Sequence, residues 1–261
     1  MISLFAVTSL LSPFFVEVTP EIRTTYQSLG KLVEDRPMQI VNAWAGWDTG
    51  RFGRLGVRNW DVSSLTDRRS DVHRHLLYHT EYGLSWQYDW SLADEWTLKN
   101  DIARFWTLYR GFDDEASNKT YHWWQVDQSL ENPYLVPYYR IRRIFRGCDY
   151  LYFKVGVRKR LPLMDSLYVT PGVFFEGGNG RNLKRVFGEN VNGGGWGAGG
   201  VGSVTFRLEV GWIFNENWTV FAFVEQYEVV GGDARDSTAA SSYNCAHNDW
   251  TYGGVGLRMK F

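Results

Sequence analysis

Three histidines lie close together in the sequence, at a spacing where a metal ion could be bound. His73, His75 and His79 form an H-x-H-x-x-x-H pattern. Neutral imidazole is a ligand for zinc, copper and nickel, so such a cluster is a candidate metal site. His73 and His75, however, fall in a polar connecting segment, and nothing in the sequence fixes a third ligand. Solvated loop histidines are therefore the favoured interpretation, and neither a metal nor another cofactor is predicted.

The chain contains two cysteines, Cys148 and Cys245. Outside the cytoplasm, an even pair of cysteines is most simply explained by one disulfide. The alternative is two unpaired thiols, because the strands predicted beside the two cysteines are not neighbours. The connecting segment 231–248 is long enough to reach across this separation, so the sequence slightly favours the disulfide.

A glycine-rich run covers residues 193–200. Phosphate-binding P-loops place Lys-Ser or Lys-Thr directly after their glycines and then continue into a helix. No Lys-Ser or Lys-Thr follows this run, and no helix is predicted after it, so it predicts a flexible connecting loop. The chain also contains no G-x-S-x-G motif of the kind that holds a serine nucleophile.

The composition limits the class of protein. The 261 residues include 28 Lys and Arg against 29 Asp and Glu, which gives a net charge of −1. A hydrophobic fraction of 44% argues against disorder, and the lack of a basic excess argues against a nucleic-acid partner. The chain nevertheless has 13 Trp, 15 Tyr, 16 Phe and 27 Gly, at a mean hydropathy of only −0.33. Aromatic girdles around a polar interior, as in a transmembrane β-barrel, account for this combination.

Apolar and polar residues alternate with a period of two in several segments. In the last of them Val255, Leu257, Met259 and Phe261 alternate with charged Arg258 and Lys260. This pattern predicts strands with one apolar face. The polar face of each segment carries charge, as expected of tilted membrane strands around a polar interior. The segments are 16–23, 82–92, 151–158, 203–212 and 255–261.

The connections between these strands alternate in length. Short turns are predicted at 93–95, 162–165 and 215–217, whereas the intervening connections are longer and polar or glycine-rich. In barrels of this kind the short turns face the periplasm and the long loops face outside. An even count of twelve strands satisfies this rule, with ten or fourteen as the alternatives. The predicted strands are 15–28, 38–48, 52–62, 78–92, 96–110, 119–129, 133–145, 148–161, 166–178, 202–214, 218–230 and 249–261.

Residues 14–261 are predicted to form a single domain. The uncharged stretch 1–16 is shorter than the roughly 20 residues that a membrane helix needs, and Pro13 interrupts it. It lacks the basic start and the clear cleavage site of a signal peptide. Residues 1–13 are therefore either the remnant of a signal peptide or a disordered N-terminus, and the sequence favours neither.

The C-terminal strand ending at Phe261 is similar to the assembly strand of bacterial outer-membrane proteins. Together with the turn and loop pattern, and with aromatic-flanked strands such as 86–90, it makes the chain resemble the porin-like outer-membrane β-barrel superfamily over nearly its whole length. The resemblance implies an all-β, antiparallel, up-and-down transmembrane barrel in a bacterial outer membrane. It also implies contact with outer-membrane lipid and lipopolysaccharide, and recognition of the C-terminal strand by the barrel-assembly machinery.

Many charged residues fall on positions that face the interior of such a barrel. A buried charge needs water or a partner of opposite sign, so the interior is either a wet channel or a densely paired closed core. The inward aromatic residues Phe174, Phe221 and Phe223 are expected to narrow it. The predicted basic arc is Arg140, Arg142, Lys154, Arg158 and Arg160. The predicted acidic residues are Glu17, Glu21, Glu81, Asp89, Asp127, Glu209 and Glu225.

A narrow passive channel for small solutes is the leading functional prediction, and the basic arc favours anions. The alternative is a closed structural barrel that acts through its outer loops. An outer-membrane phospholipase-like hydrolase is the least favoured alternative, so an enzyme is not the prediction. Outer-membrane phospholipases use a lipid-facing His-Ser-Asn constellation, but His122, the histidine nearest to an outward position, is followed only by Trp123, Trp124 and Gln125. A nucleophile needs an adjacent base, which this arrangement does not supply.

Overall fold

The computed structural model describes residues 13–28, 31–34, 36–66, 78–110, 121–145, 150–187, 196–197, 199–240 and 248–261. Twelve antiparallel strands in this part of the chain form one closed barrel. They are β1 (Phe14–Arg23), β2 (Met38–Asp48), β3 (Arg54–Ser64), β4 (Tyr78–Ala93), β5 (Trp96–Arg110), β6 (Tyr121–Glu131), β7 (Val136–Phe145), β8 (Tyr150–Arg158), β9 (Leu167–Gly178), β10 (Gly200–Asn215), β11 (Trp218–Val229) and β12 (Asp249–Lys260).

The barrel closes where the first strand meets the last. Glu17 in β1 lies opposite Lys260 in β12. The amide of Val16 donates to the carbonyl of Phe261 at 2.9 Å, and the amide of Phe261 donates back at 2.8 Å. Every other barrel strand pairs with its neighbours in sequence. This closure leaves no strand edge exposed, and it confirms the predicted twelve-stranded up-and-down barrel.

The two ends of the barrel differ in their connections. The short turns at 49–53, 94–95, 132–135 and 216–217 lie at one end, together with Phe14 and Phe261; this is called the short-turn end. The longer connections meet at the opposite, long-loop end. At the turn before β7, the side chain of Asn132 accepts the amides of Tyr134 at 2.9 Å and Leu135 at 3.1 Å. This turn delays β7 to Val136, three residues after its predicted start.

Three of the long connections contain regular structure that the sequence did not predict. Strand β1 ends at Arg23 rather than at 28, and Tyr26–Ser28 pairs instead with Lys31–Glu34 in a small hairpin. Two helices lie in the long connections, α1 (Gly180–Phe187) and α2 (Gly232–Ala240). Strand β10 follows the glycine-rich run, as expected, whereas the unpredicted helix α1 lies before it. Within the described ranges, neither helix is long and apolar enough to cross a membrane.

Helix α1 forms because its start is capped and its apolar face is covered. The side chain of Asn179 accepts the amide of Asn182 at 3.0 Å, as an N-cap residue does. Leu183, Val186 and Phe187 are buried in one cluster at the long-loop end. The cluster is completed by Tyr227 and Val229 from β11 and by Ala234 from α2. Burial of these side chains therefore accounts for the helix at 180–187.

The outer surface of the barrel is apolar. Large exposed side chains alternate along each strand with buried ones, as Leu84 (59% exposed) alternates with buried Ser85 in β4. Aromatic pairs gather at the short-turn end: the ring centroids of Phe14 and Trp47 are 5.7 Å apart, and those of Trp218 and Phe261 are 6.1 Å apart. An apolar belt that ends in aromatic side chains is the surface of a membrane-spanning barrel.

Inward glycines make room for large rings on the neighbouring strand. A methyl group at Gly211 in β10 would lie only 2.2 Å from Cζ of Tyr168 in β9. The ring of Tyr168 has little freedom to move. It is buried, it lies 3.7 Å from the guanidinium of Arg160, and its hydroxyl accepts a hydrogen bond from Arg258 at 2.8 Å.

We predict that Gly211→Ala lowers the free energy of unfolding by about 1–3 kcal/mol, because the added methyl group displaces the Tyr168 ring. Urea titration of the barrel in lipid vesicles, followed by tryptophan fluorescence, measures this change. The matched control is Gly200→Ala in the same strand, where a methyl group has no atom within 4 Å. An equal effect of the two substitutions would contradict the steric explanation.

Candidate functional site

The structure places the five residues of the predicted basic arc on the inner wall. Arg140 and Arg142 lie on β7, Lys154 and Arg158 lie on β8, and Arg160 follows β8. On β7 they alternate with the outward, exposed residues Ile141 and Arg143 of the same strand. Alternation along two adjacent strands is what brings these cations to one side of the interior.

Acidic residues on neighbouring strands separate these cations from one another. The Nε atom of Arg140 donates to Asp127 at 2.5 Å, directly across the β6–β7 pair. The ammonium group of Lys154 donates to Glu176 at 2.8 Å, directly across the β8–β9 pair. The interior charges are therefore interleaved rather than divided into one basic and one acidic arc.

The remaining cations of the arc have weaker partners or a neutral one. Arg158 lies 3.4 Å from Glu131, and both side chains are substantially exposed, at 44% and 32%. Arg142 donates to the amide oxygen of Gln125 at 2.5 Å. Arg160 stacks on the ring of Tyr168 at 3.7 Å. The positive charges of Arg158 and Arg160 are therefore less fully neutralised by carboxylates than those of Arg140 and Lys154.

Most of the predicted acidic residues also have partners on the inner wall. Glu209 accepts two hydrogen bonds from Arg258, both at 2.9 Å, and a third from Arg207 at 2.9 Å. Asp89 is exposed and lines a cavity. The other contacts are Glu17 with Arg54 at 2.8 Å, Glu21 with Arg23 at 2.6 Å, Glu81 with His79 at 2.8 Å, and Glu225 with Arg207 and Tyr252.

These ion pairs follow the wall instead of crossing the interior. Arg140–Asp127 and Lys154–Glu176 join adjacent strands, and Arg258–Glu209 joins strands two positions apart. Arg54–Glu17 and Arg58–Asp101 also join strands two positions apart. In a twelve-stranded barrel, a pair that spanned the lumen would instead join strands about six positions apart. Within the described part of the chain, none of these ion pairs therefore crosses the axis.

Two adjoining cavities open inside the barrel. The larger has a volume of about 560 Å³ and is lined by residues that include Glu17, Arg54 and Asp127. The smaller has a volume of about 410 Å³, and its described lining has five cations against two carboxylates. Both are lined by Lys99, Glu131 and Arg158. The charged lining of the smaller cavity is Lys99, Arg158, Arg160, Arg207, Arg258, Glu131 and Glu209.

Lys99 and Arg160 are the least neutralised cations in this smaller cavity. Within the described residues neither has an ion pair, whereas Arg207 and Arg258 are bound to Glu209. Lys99 was missed at the sequence level because the alternation in β5 is unclear. Its outward positions include the polar residue Asn100, and its inward positions include the apolar residues Ala103 and Phe105.

Apolar side chains narrow the interior towards the long-loop end. Phe105, Trp123 and Ile144 form one buried cluster near the outer ends of β5–β7. Met38, Ile40 and Val62 form another near the outer ends of β2 and β3. Phe174, Phe221 and Phe223 are buried on the inner face at 8%, 1% and 6% exposure, but Phe174 lines the smaller cavity and Phe221 lies near the short turn at 216–217. The polar cavities lie towards the short-turn end, and the two apolar clusters lie beyond them, beside the ion pair of Arg23 with Glu21.

The other candidate residues are distributed as follows. His79 is buried inside the barrel beside Glu81, while His73 and His75 lie outside the described residues, as do Cys148 and Cys245. No group of three or more metal-ligating side chains occurs within the described ranges. His122 faces outward and stacks on Phe145 with ring centroids 5.8 Å apart, and its other cross-strand neighbour is Trp106.

A ladder of polar side chains crosses the lipid-facing surface of β4–β7. The side chain of Asn100 donates to the carbonyl of Tyr88 at 2.9 Å. Gln128 donates to Asn100, and the hydroxyl of Tyr139 donates to Gln128. The four residues lie opposite one another on successive strands. Hydrogen bonds between these side chains lower the cost of placing them in lipid, and the ladder contains neither a serine nor a histidine.

Three solved structures have a similar architecture. The NanC porin is 10% identical, with 94% of this chain and 100% of that chain covered and a TM-score of 0.53. The translocator domain of the autotransporter NalP from Neisseria meningitidis is 13% identical, with coverage of 99% and 93% and a TM-score of 0.51. An outer-membrane channel from Pseudomonas putida F1 is 8% identical, with 95% of both chains covered and a TM-score of 0.51.

No protein-family model and no curated protein sequence matches the chain. At these low identities the structural similarity establishes the fold alone, which is that of porin-like outer-membrane β-barrels. This confirms the resemblance inferred from the terminal strand and the turn pattern, although no subfamily is identified. The apolar belt and the fold both agree with the predicted location in a bacterial outer membrane.

The Lys154–Glu176 pair provides a test of how the wall is stabilised. Glu176 is 3% exposed and accepts hydrogen bonds from Tyr152 at 2.7 Å, Lys154 at 2.8 Å and Thr205 at 3.4 Å. We predict that Glu176→Gln lowers the free energy of unfolding by about 3–5 kcal/mol, because Lys154 loses its counter-charge. The companion substitution Lys154→Met should recover most of this loss.

Urea titration of the single and double variants measures both effects. Glu131→Gln is the matched control, because its exposed pair with Arg158 should contribute less than about 1 kcal/mol. Equal losses from Glu176→Gln and Glu131→Gln would show that burial does not set the strength of these pairs.

Proposed function

We propose that this barrel is a narrow passive channel for small charged solutes, with a preference for anions. The observation that carries the proposal is the basic cavity of about 410 Å³ beside the lumen axis. Rings of Lys and Arg select anions in pores because they lower the energy of an anion inside a narrow passage. Lys99, Glu131 and Arg158 line both this cavity and its larger neighbour, which supports a shared route for a solute.

Lys99 and Arg160 are the residues proposed to attract the solute. The remaining cations of the cavity are held by Glu209 or, in the case of Arg158, lie near Glu131. Arg160 keeps its guanidinium N–H donors available while its face is stacked on Tyr168. A carboxylate or phosphate in the cavity could therefore pair with Lys99 and Arg160 without breaking an existing ion pair.

A closed structural barrel is the second candidate. It is favoured by the buried cluster of Phe187, Tyr227 and Val229, which covers part of the long-loop end. In that case the paired charges act only to stabilise the wall, and any binding surface lies on the outer connections. Ion flow through the purified barrel distinguishes the two candidates.

We predict that Lys99→Glu combined with Arg160→Glu changes the selectivity from anions to cations. Even with the dielectric constant of water, two unit charges 4 Å apart interact by about 1 kcal/mol, and both charges are reversed. The ratio of anion to cation permeability should therefore fall by about tenfold or more. The reversal potential across a salt gradient in planar bilayers measures this ratio.

Arg235→Glu is the matched control, because Arg235 is exposed on α2 and does not line either cavity. It should leave the reversal potential unchanged. Circular dichroism of each variant establishes that the barrel is folded. An unchanged reversal potential in a folded Lys99→Glu/Arg160→Glu barrel would reject the two cations as the selectivity site.

A further inference from the structure

Among the described residues, one carboxylate of the larger cavity has no partner. Gln87 in β4 donates to Asp101 on the inner wall, so Asp89, two residues later in the same strand, also faces inward. Asp89 is exposed, lines the larger cavity, and makes no ion pair or side-chain hydrogen bond with any described residue. Each of the other five carboxylates in the described lining has a partner on the wall or, in the case of Asp48, in the adjacent turn.

Asp89 lies directly opposite Lys99 on the neighbouring strand β5. Side chains at such positions have Cβ atoms about 4.5–5.5 Å apart, so opposite charges there can reach each other. Lys154 and Glu176 are also directly opposite, and they form an ion pair at 2.8 Å. Asp89 and Lys99 instead make no ion pair, either with each other or with another described residue. The wall therefore presents an unpaired negative charge beside an unpaired positive one.

These two charges lie where the cavities meet. Lys99 lines both cavities, whereas Asp89 lines only the larger one and Arg160 only the smaller one. The described lining of the larger cavity has six carboxylates against five cations, and that of the smaller cavity has two carboxylates against five cations. A solute at this junction is therefore close to one unpaired carboxylate on one side and to Lys99 and Arg160 on the other.

We propose that the solute bound at this junction is a small zwitterion, which carries an ammonium group and a carboxylate on the same molecule, as a free α-amino acid does. The inference rests on the proposed function, in which a small solute reaches the basic cavity, and it names the class of that solute. The carboxylate of the solute pairs with Lys99 and Arg160, and its ammonium group pairs with Asp89.

The charge of Asp89 is what separates a zwitterion from a simple anion at this site. A solute with only a carboxylate would bind the two cations but would be repelled by the nearby carboxylate of Asp89. A solute with only an ammonium group would be attracted by Asp89 and repelled by Lys99 and Arg160. A zwitterion uses all three side chains, and none of them has an ion pair within the described residues that would first have to break.

Saturation-transfer NMR of the full chain in detergent tests the proposal, with L-alanine as the probe. N-acetyl-L-alanine keeps the carboxylate but lacks the ammonium group, and L-alaninamide keeps the ammonium group but lacks the carboxylate. The wild-type barrel should bind L-alanine about twofold to fivefold more tightly than either analogue. This is the change in affinity expected when one exposed ion pair is lost.

Two substitutions assign the two ends of the solute. Asp89→Asn should weaken binding of L-alanine by about twofold to fivefold and should not weaken binding of N-acetyl-L-alanine. Lys99→Met should weaken binding of both. The matched control is Asp236→Asn, which removes an exposed carboxylate of α2 that lines neither cavity, and it should bind L-alanine as the wild type does. Circular dichroism establishes that each variant is folded.

Binding in detergent does not require ion flow, so the two proposals fail in different ways. Loss of anion selectivity in planar bilayers, with L-alanine still preferred over both analogues, would reject the anion channel and leave the zwitterion site in place. The zwitterion inference would be overturned if L-alanine did not bind, if it bound no more tightly than N-acetyl-L-alanine, or if the folded Asp89→Asn barrel kept the wild-type affinity for it.

Discussion

Pairing of opposite charges between neighbouring strands is the interaction on which the interior of this barrel depends. The strand alternation that gives the barrel an apolar outer face also directs charged side chains inward, as at Lys154 and Glu176. A buried charge without a partner would cost several kcal/mol. The free energy of unfolding of a typical domain is only about 5–15 kcal/mol, so one such charge would remove a large share of it. Because the partners lie on adjacent strands or two strands apart, the charges are satisfied within the wall. The centre of the barrel then needs no side chain to cross it.

The same constraint explains the unequal distribution of polar and apolar residues along the axis. Towards the short-turn end, paired charges surround the two cavities, and the cations Lys99 and Arg160 have no ion pair within the described residues. Towards the long-loop end, buried aromatic and aliphatic clusters lie beside further ion pairs such as Arg23–Glu21 and Lys154–Glu176. The smaller cavity therefore has a local basic excess, which is the basis of the proposed channel for small solutes.

Much of the fold could be predicted from the sequence. The alternation of apolar and polar residues indicates the strands, and the alternation of short and long connections indicates an up-and-down barrel. Strand β12 and the turn between β4 and β5 were located closely, since each is set by local residues. Helix α1 was missed because it depends on burial of Leu183 and Phe187 against β11. The inward position of the basic residues follows from alternation, but the partner of each depends on strand register. Lys99 was missed because β5 mixes polar and apolar residues on both faces.

Single-channel recording of the wild-type barrel in planar bilayers is the most direct measurement of whether the axis is open. A lumen whose charges are paired along the wall should give small, discrete conductance steps in symmetrical salt solution. These steps should persist in a preparation whose barrel is shown to be folded. A folded barrel that inserts into the bilayer and gives no steps would contradict an open axis, and would identify the interior as a closed polar core.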